Sequence, residues 1–172
     1  MISYKEKLKN ITTFLFDIDG VFTDGNVMVF ENDYIRKFNS KDAFAVQLAV
    51  KKGFHVFIIS GGSSESVRHI MSNLGCKEVV LKASNKWNSF LILKEKHGVD
   101  ENTCLYVGDD LPDIPLLKRV HVSVCPLDAA IDVKQMCDYQ SLYNGGAGVV
   151  RDVIEQVLRV QDKWNNDEEH EW

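Results

Sequence analysis

The sequence predicts an α/β fold: a Rossmann-like, doubly wound parallel sheet with a protruding β-hairpin and no cap domain. Short apolar runs alternate with helical patterns along most of the chain, and these runs are continuously apolar instead of alternating with polar residues. Continuous apolar runs are typical of strands buried on both faces of a parallel sheet. Regular alternation of such strands with helices is typical of a doubly wound architecture.

The individual elements follow from these patterns. The predicted strands span residues 11–16, 55–60, 78–81, 104–108 and 121–125. The predicted helices span residues 40–52, 63–74, 84–97, 112–119, 128–135 and 148–164. Residues 27–38 interrupt the alternation with two short strand-like runs around the polar turn Glu31-Asn32-Asp33, which predicts a β-hairpin. Because the hairpin directly follows the first acidic motif, we expect it near the carboxyl end of the first strand.

Length and charge limit the possible classes of protein. The 172 residues are enough for one domain with a sizeable core, so residues 1–164 are predicted to form one domain and the acidic tail, 165–172, to be disordered. A net charge of −5 without a basic run argues against nucleic-acid binding. No apolar segment reaches the ~20 residues that span a bilayer, and the opening MISYKEKLKN lacks a signal-peptide pattern. We therefore expect a cytoplasmic protein without nucleic-acid or membrane partners.

The stretch TTFLFDIDGVFTDG places acidic residues directly after a buried strand. Carboxylates in such a position are costly unless a positive group meets them. Asp17 and Asp19 lie two residues apart, so in extended backbone their side chains point the same way. A cluster of oxygen ligands suits a hard cation, and a small set suits Mg²⁺. The stretch therefore predicts a magnesium site.

Other polar groups follow the neighbouring strands. Ser60 and Gly61 end the second strand, Lys86 opens the helix after the third, and Asp109 follows the fourth. Open α/β sheets bind ligands at the carboxyl ends of their strands, so we expect these groups to meet there. A hydroxyl and an ammonium beside a helix N-terminus suit a phosphoryl group. The combined pattern predicts Mg²⁺-assisted phosphoryl transfer.

In this order, the motifs D-I-D-G (17–20), S-G (60–61), N-K (85–86) and G-D-D-x-x-D (108–113) resemble those of the haloacid dehalogenase superfamily of phosphatases. The resemblance implies that Asp17 is the nucleophile that forms an aspartyl-phosphate, and that Asp19 is the general acid and then the general base. The other roles that it implies are magnesium ligation by the carboxylates of Asp17 and Asp109 and the backbone carbonyl of Asp19, phosphoryl binding by Ser60 and Lys86, and support by Asp110 and Asp113.

The segments between these motifs leave no room for a cap domain, so the resemblance is to the capless branch. DIDGVFTDG, R-K-F-N (36–39), D-A-F (42–44), GDDLPD and N-G-G-A-G-x-x-R (144–151) resemble the 3-deoxy-D-manno-octulosonate 8-phosphate (Kdo 8-phosphate) phosphatase family, which acts in lipopolysaccharide biosynthesis. This implies a homotetramer in which hairpins form a central barrel and the C-terminal segment lies near a neighbouring site. The candidate substrate-binding residues are Thr23, Asp24, Lys37, Gly61, Arg68 and Arg151.

Several alternatives stay open. Gly62 and Ile70 stand where family members often carry a charged residue and an arginine. A glutamate in place of Gly62 would favour the nine-carbon substrate 2-keto-3-deoxynononate 9-phosphate, so its absence favours the eight-carbon substrate. The nine-carbon compound or another sugar phosphate is the alternative. The non-enzymatic alternatives are a receiver-like signalling domain, which the spacing of Asp17 and Asp19 disfavours, and a phosphate-binding homologue without activity.

Some of these residues also have purely structural interpretations. Residues 23–25 are compatible with a simple turn, and the glycines of residues 145–148 with a flexible connection into the last helix. Arg68 is compatible with a surface salt bridge. On these interpretations Thr23, Asp24 and Arg68 would have no contact with substrate.

Overall fold

Strands and helices alternate along the chain, as the sequence predicts, in the computed structural model, which describes residues 3–31 and 34–164. The strands are β1 (Thr13–Phe16), β2 (Met28–Val29), β3 (Tyr34–Ile35), β4 (His55–Ile59), β5 (Glu78–Val80), β6 (Cys104–Val107), β7 (Val122–Cys125) and β8 (Tyr139–Gln140). The helices are α1 (Tyr4–Lys7), α2 (Ser40–Lys51), α3 (Glu65–Asn73), α4 (Lys86–His97), α5 (Ile114–Leu117), α6 (Ile131–Lys134) and α7 (Val149–Val160).

Six strands form a parallel sheet in the order β5-β4-β1-β6-β7-β8. The central strand, β1, pairs with β4 on one side and with β6 on the other, so the strand order reverses at β1. In sheets of this kind, the crevice at the carboxyl ends of the strands on either side of such a reversal is the usual ligand site. The predicted doubly wound parallel sheet is confirmed.

The hairpin forms a separate two-stranded sheet, in which Met28 pairs with Ile35 and Val29 with Tyr34. Residues 32–33, in the predicted turn, lie outside the described residues, as does the predicted tail 165–172. Between β1 and β4, the described residues add only this hairpin and α2 as regular structure. Between β4 and α4 they add only α3 and β5.

Helices cover both faces of the sheet because successive residues of β1 point to opposite sides. Phe14 and Phe16 lie in one apolar cluster with buried residues of α2, α3 and α7. Leu15, between them, lies in a second cluster with Phe90 of α4 and with residues of α5 and α6. The first strand is therefore buried on both faces, as its continuous apolar pattern predicts. Among the described helices, none has the length and apolar character needed to cross a membrane.

Side-chain caps fix where three helices begin, close to the carboxyl ends of the strands. Asn39 accepts a hydrogen bond from the Lys41 amide (2.9 Å) at the start of α2. Asn85 accepts one from the Asn88 amide (3.0 Å) at the start of α4, and Ser64 caps α3. Such caps satisfy backbone amides that lack a partner within the helix. The cap at Asn85 places Lys86 at the first position of α4.

The structure also differs from the predicted elements. The helix predicted at 112–119 is a 3₁₀ turn (Leu111–Asp113) followed by the short α5, and each of these pieces has a proline near its start. The helix predicted at 128–135 covers only α6, and the last helix ends at Val160. Strand β8 and helix α1 were not predicted, because two and four residues are too few to show a periodic pattern.

Candidate active site

The first acid of the predicted site is fixed by the end of β1. The amide of Asp17 donates to the Val107 carbonyl (3.1 Å), which continues the pairing of β1 with β6 by one residue. Its carboxylate accepts a hydrogen bond from the Ile18 amide (2.7 Å) and is only 7% exposed. The next residues form a tight turn in which the Ile18 carbonyl accepts hydrogen bonds from three following amides. This turn aims Asp17 into the space between β1 and β6.

Gly20 is required in this turn by both conformation and space. Its φ of +80° lies in the left-handed region, which glycine adopts without steric cost. A Cβ atom at this position would lie 2.0 Å from an oxygen of Asp109. A larger residue would therefore displace the Asp109 carboxylate. The glycine of D-I-D-G is thus needed for the position of the acid that follows β6.

Lys86 joins two of the buried carboxylates. Its Nζ lies 2.7 Å from Asp17 Oδ2 and donates a short hydrogen bond to Asp113 Oδ1, and Lys86 is only 4% exposed. Burial alone would lower the pKa of Lys86, but the carboxylates of Asp17 and Asp113 outweigh it and raise that pKa. The lysine is therefore a fixed positive charge beside Asp17.

Asp113 organises the rest of this network. Oδ1 accepts hydrogen bonds from Lys86 and from the hydroxyl of Tyr106, while Oδ2 accepts the amides of Asp109 (3.0 Å) and Asp110 (3.1 Å). Tyr106 is fully buried in β6. Both oxygens of Asp113 are thus engaged by protein groups. Its role is to position the lysine and the loop after β6.

Three carboxylates could together hold a cation: Asp17, Asp109 and Asp113 offer oxygens within 4.8 Å of one another. Each oxygen of Asp113 already accepts two hydrogen bonds, whereas each oxygen of Asp17 has one partner, so Asp17 and Asp109 are the better ligands. The Asp109 carboxylate accepts no hydrogen bond from the described residues. Burial, with repulsion from Asp113 and Asp17, raises the pKa of Asp109 to about 7. Oxygen ligands that repel one another in this way suit Mg²⁺, so the site fits the predicted metal.

The loop after β4 forms the opposite wall of the cleft. Ser60 is 3% exposed, and its hydroxyl accepts a hydrogen bond from the Gly62 amide (3.1 Å). The Ser60 amide donates to the Val80 carbonyl of β5 (2.9 Å), which fixes the loop on the edge strand. Ser60 therefore lies across the sheet from Asp109, as its position after the second strand predicts.

One contact of the site was not predicted: Arg36 binds Asp19 through both carboxylate oxygens. Arg36 Nε lies 2.6 Å from Oδ1, and Nη2 lies 3.2 Å from Oδ2. Arg36 directly follows β3, so the hairpin returns the chain to the acidic turn. The hydrogen bond to Asp19 raises the pKa of Arg36. The motif R-K-F-N (36–39) pointed to this region, but Lys37 and not Arg36 was the residue predicted from it.

An open cleft of about 640 Å³ brings together the residues predicted for catalysis, metal binding and support. Its lining includes Asp17, Asp19, Ser60, Gly61, Lys86, Asp109, Asp110 and Asp113. Except for Gly61, the predicted substrate-binding residues do not line this cleft. Asp24 and Lys37 line a neighbouring groove of about 590 Å³ with residues 144–147.

Two of the predicted substrate-binding residues have structural partners instead. Thr23 is fully buried, and its hydroxyl accepts the Gly25 amide (3.3 Å), so it stabilises the turn and is not exposed to a ligand. Arg68 donates to the Val79 carbonyl (2.6 Å) and pairs with Glu65 (2.9 Å). The structural interpretations of both residues fit these contacts better than substrate contact does.

The glycine-rich segment packs against its own chain's acidic turn. The Gly146 amide donates to the Val21 carbonyl (2.9 Å), and a Cβ at Gly145 would lie 2.0 Å from the Gly20 carbonyl oxygen. This close approach explains the glycines better than flexibility does. Arg151 lies further along, on α7, where its side chain contacts Glu155 (3.3 Å) and the Trp164 ring (5.1 Å).

Known proteins are similar to this chain in both sequence and fold. Residues 40–121 match the family of haloacid dehalogenase-like hydrolases. The 3-deoxy-D-manno-octulosonate 8-phosphate phosphatase of Escherichia coli K12 is 33% identical over 158 residues, which cover 91% of this chain and 84% of that protein. The enzyme of the same name from Haemophilus influenzae is 30% identical over 160 residues, covering 92% and 89% of the two chains.

Two solved structures superpose closely. That of 3-deoxy-D-manno-octulosonate 8-phosphate phosphatase from Moraxella catarrhalis, in complex with magnesium, phosphate and Kdo, has a TM-score of 0.90 at 27% identity and covers 94% of this chain and 93% of that chain. The cobalt-bound enzyme from Haemophilus influenzae has a TM-score of 0.90 at 29% identity and covers 95% and 98%. The similarity thus extends over nearly the whole chain.

Proposed function

Because the chain belongs to the haloacid dehalogenase-like hydrolases, we propose that it is a Mg²⁺-dependent phosphatase that hydrolyses Kdo 8-phosphate to Kdo and phosphate. The observation that carries this proposal is the buried Lys86 beside Asp17, with Asp109 close by in an open cleft. A fixed cation next to a carboxylate nucleophile and a metal site is the arrangement that phosphoryl transfer requires. The reaction would belong to lipopolysaccharide biosynthesis in the cytoplasm.

In this proposal, Asp17 attacks the phosphorus atom and the bond from phosphorus to the sugar oxygen breaks. Asp19 gives a proton to the departing oxygen, which leaves as the sugar hydroxyl, and the phosphoryl group stays on Asp17. Asp19 then takes a proton from water as the water oxygen attacks phosphorus. The bond from phosphorus to Asp17 breaks, which releases phosphate and restores the carboxylate.

The other cleft residues bind and neutralise charge. Lys86 pairs with a phosphoryl oxygen while it keeps Asp17 oriented, and Ser60 with the Gly61 backbone binds the remaining oxygens. The carboxylates of Asp17 and Asp109 and the Asp19 backbone carbonyl would hold Mg²⁺. When bound, the ion neutralises negative charge on the transferring group.

Arg36 affects the proton transfer that we propose for Asp19. The guanidinium donates one hydrogen bond to each oxygen of Asp19, so each oxygen keeps a lone pair for a leaving group or for water, and the salt bridge fixes the direction from which they can approach. Arg36 thus holds the acid close to the cleft between turnovers. We expect the side chain of Asp19 to rotate towards Asp17 when substrate binds.

Phosphate release with Mg²⁺ tests the function. The substrates are Kdo 8-phosphate, the nine-carbon 2-keto-3-deoxynononate 9-phosphate and a neutral sugar phosphate. We expect the eight-carbon compound to have the highest kcat/KM, Asp17→Asn and Asp19→Asn to be inactive, and a chelator to abolish turnover. Asp132→Asn, on the exposed face of α6, is the matched control and should keep full activity.

The outcomes separate the alternatives. Preference for the nine-carbon compound would replace the substrate but keep the mechanism. Equal activity of wild type and Asp19→Asn would contradict the acid–base role. No release from any of the substrates would favour a phosphate-binding homologue.

We also propose that the protein is a homotetramer in which four hairpins form a central barrel. Within the described residues, β2 and β3 pair only with each other, and the hairpin exposes several apolar side chains. These are Met28 (58% exposed), Val29 (71%), Phe30 (51%), Tyr34 (63%) and Ile35 (47%). An apolar sheet with open edges favours pairing with further strands. In such an assembly the C-terminal segment, with Arg151, would lie near a neighbouring site and form its lid.

Molar mass by light scattering tests this assembly. Wild type should have the mass of four chains, and Val29→Asp, which places a charge in the barrel, should give smaller species. Ile92→Asp is a matched control, because Ile92 is similarly exposed (65%) but lies on α4. A monomeric wild type, or an unchanged mass for Val29→Asp, would contradict the barrel.

A further inference from the structure

Lys82 combines three features that the proposed reaction does not use. It lines the active-site cleft, its side chain is exposed, and its backbone has a φ of +56° although it is not a glycine. Within the described residues it makes no ion pair. Residues with left-handed backbone conformations are uncommon outside glycine, asparagine and aspartate, and they concentrate at functional sites.

The backbone around Lys82 is fixed to the phosphate-binding side of the cleft. The Lys82 amide donates to the Gly62 carbonyl (2.8 Å), and the Ala83 amide donates to the Ser60 carbonyl (3.0 Å). These bonds join the loop after β5 to the loop after β4. The side chain of Lys82 therefore begins at a defined place beside Ser60 and Gly62, at the mouth of the cleft.

The turn alone does not account for a lysine here. Positive φ is most stably filled by glycine, because a Cβ atom makes the left-handed conformation unfavourable. The chain gives up that stability at an exposed position that lines the cleft. We therefore expect its charge to meet a ligand.

The other basic groups around the cleft are already engaged. Lys86 pairs with Asp17 and Asp113, and Arg36 pairs with Asp19. The remaining cleft charges are acidic, so a second anionic group on a ligand would be repelled unless a further cation met it. Among the residues that line the cleft, Lys82 is the cation that has no carboxylate partner within the described part of the chain.

We propose that Lys82 determines specificity by binding the carboxylate of a sugar-acid phosphate, while Lys86 and the metal site bind its phosphate. The inference rests on the proposed phosphatase function and adds the residue that distinguishes acidic from neutral sugar phosphates. A flexible ammonium at the mouth of the cleft can follow the far end of an extended substrate. Lys82 also supplies a cation for the carboxylate, which Gly62 and Ile70 lack and which Arg68, already bonded to the Val79 carbonyl and Glu65, does not offer.

The test uses two ligands that differ only in the carboxylate: 6-phosphogluconate and glucitol 6-phosphate. Turnover is measured with Mg²⁺, and binding is measured by calorimetry in the Asp17→Asn protein, so that the readout does not depend on activity. We expect Lys82→Ala to raise both the KM and the Kd for 6-phosphogluconate by about 10-fold. This is the typical effect of losing a hydrogen bond between charged groups. Glucitol 6-phosphate should change less than about 2-fold, and kcat should stay close to wild type for both.

Two further variants separate charge from backbone. Lys82→Gly removes the strain of the positive φ and should raise the midpoint of thermal unfolding. It should nevertheless weaken the binding of 6-phosphogluconate as much as Lys82→Ala does. Lys77→Ala removes an exposed lysine just before β5, at the other end of the same strand, and should leave both ligands unchanged.

The outcomes that overturn the inference are distinct from failure of the proposed function. Equal weakening of both ligands, or of neither, would show that Lys82 does not recognise the carboxylate. Weakening by Lys82→Ala but not by Lys82→Gly would assign the effect to the backbone and also overturn it. Failure of the proposed function would appear in the wild type, as no release of phosphate from Kdo 8-phosphate, while the binding comparison would still decide the role of Lys82.

Discussion

The two walls of the cleft are built in different ways. On one wall, Lys86 bonds to both Asp17 and Asp113, and all three residues are buried. They lie directly after β1, at the start of α4 and in the 3₁₀ turn after β6. On the other wall, Asp19 is partly exposed and is held by Arg36, which directly follows β3 of the hairpin. The first wall is fixed by the fold of one chain, whereas the second depends on where the hairpin lies.

This difference separates two tasks of the proposed reaction. The nucleophile and the charges around it must be preorganised, because their contribution comes from fixed positions in a site with little water. The acid–base group must move, because it serves a leaving group first and a water molecule afterwards. A carboxylate that is partly exposed and paired with one arginine can do so at lower cost than a buried one.

The largest effect should come from Lys86→Met, which removes the cation between Asp17 and Asp113. Removing one charge that stabilises the transferring group should lower kcat by about 10³-fold. It also leaves two buried carboxylates without their cation, which should lower the free energy of unfolding by about 3 kcal/mol. Single-turnover kinetics and urea denaturation measure the two effects.

The control for this variant lies on the same helix. Lys94 pairs with Glu101 but its side chain is 41% exposed, so Lys94→Met should keep full activity and nearly full stability. Similar losses in both variants would mean that burial does not distinguish the catalytic lysine.

The wall that contains Asp19 and Arg36 can be tested with Arg36→Met. Without the guanidinium, Asp19 samples more orientations, and misplacement of a reacting group by about 1 Å can cost on the order of 10²-fold in rate. We expect kcat to fall by about that factor with KM little changed, and Arg36→Lys to restore part of it. Steady-state kinetics of both variants give the comparison.

Arg159→Met removes an exposed arginine that pairs with Glu155 on α7 and serves as the control. A rise in kcat for Arg36→Met would show that Arg36 restrains Asp19 instead of positioning it. An unchanged kcat would mean that the contact has no part in turnover.

The contrast between the two walls also explains how much the sequence could predict. Asp17 and Ser60 directly follow strands of the central sheet, Asp109 follows β6 after one glycine, and Lys86 opens a helix with a clear cap, so strand order brings them together. Their positions, and the parallel sheet itself, follow from local pattern and the topology rule for open sheets.

Other contacts in and near the site depend on tertiary packing that no local pattern encodes. Arg36 meets Asp19 only because the hairpin folds back, and Tyr106 is hidden among the apolar residues of β6 although its hydroxyl binds Asp113. Thr23 and Arg68 are polar residues close to the motifs in sequence, yet their side chains turn to backbone partners. Side-chain direction in irregular segments is set by tertiary packing.

Asp42 offers a buried carboxylate for comparison with Asp113, outside the cleft. Asp113 has protein partners on both oxygens, including a lysine. Asp42 is fully buried in the first turn of α2, where Oδ1 accepts the Arg151 amide (2.7 Å) and Oδ2 has no hydrogen-bond partner within the described residues. Burial without a cation at bonding distance raises the pKa of Asp42 to about 6.

This difference predicts a pH effect on stability. Between pH 4 and pH 6, folded Asp42 binds a proton that the unfolded chain has already lost, so the free energy of unfolding falls as pH rises through that range. The loss should be on the order of 3 kcal/mol and complete above about pH 7. Asp42→Asn keeps an oxygen for the Arg151 amide and adds no charge, so it should remove this contribution and be more stable than wild type at pH 8. Urea denaturation of both proteins from pH 4 to pH 8 measures it, and parallel curves would show that Asp42 titrates alike in the folded and unfolded chains.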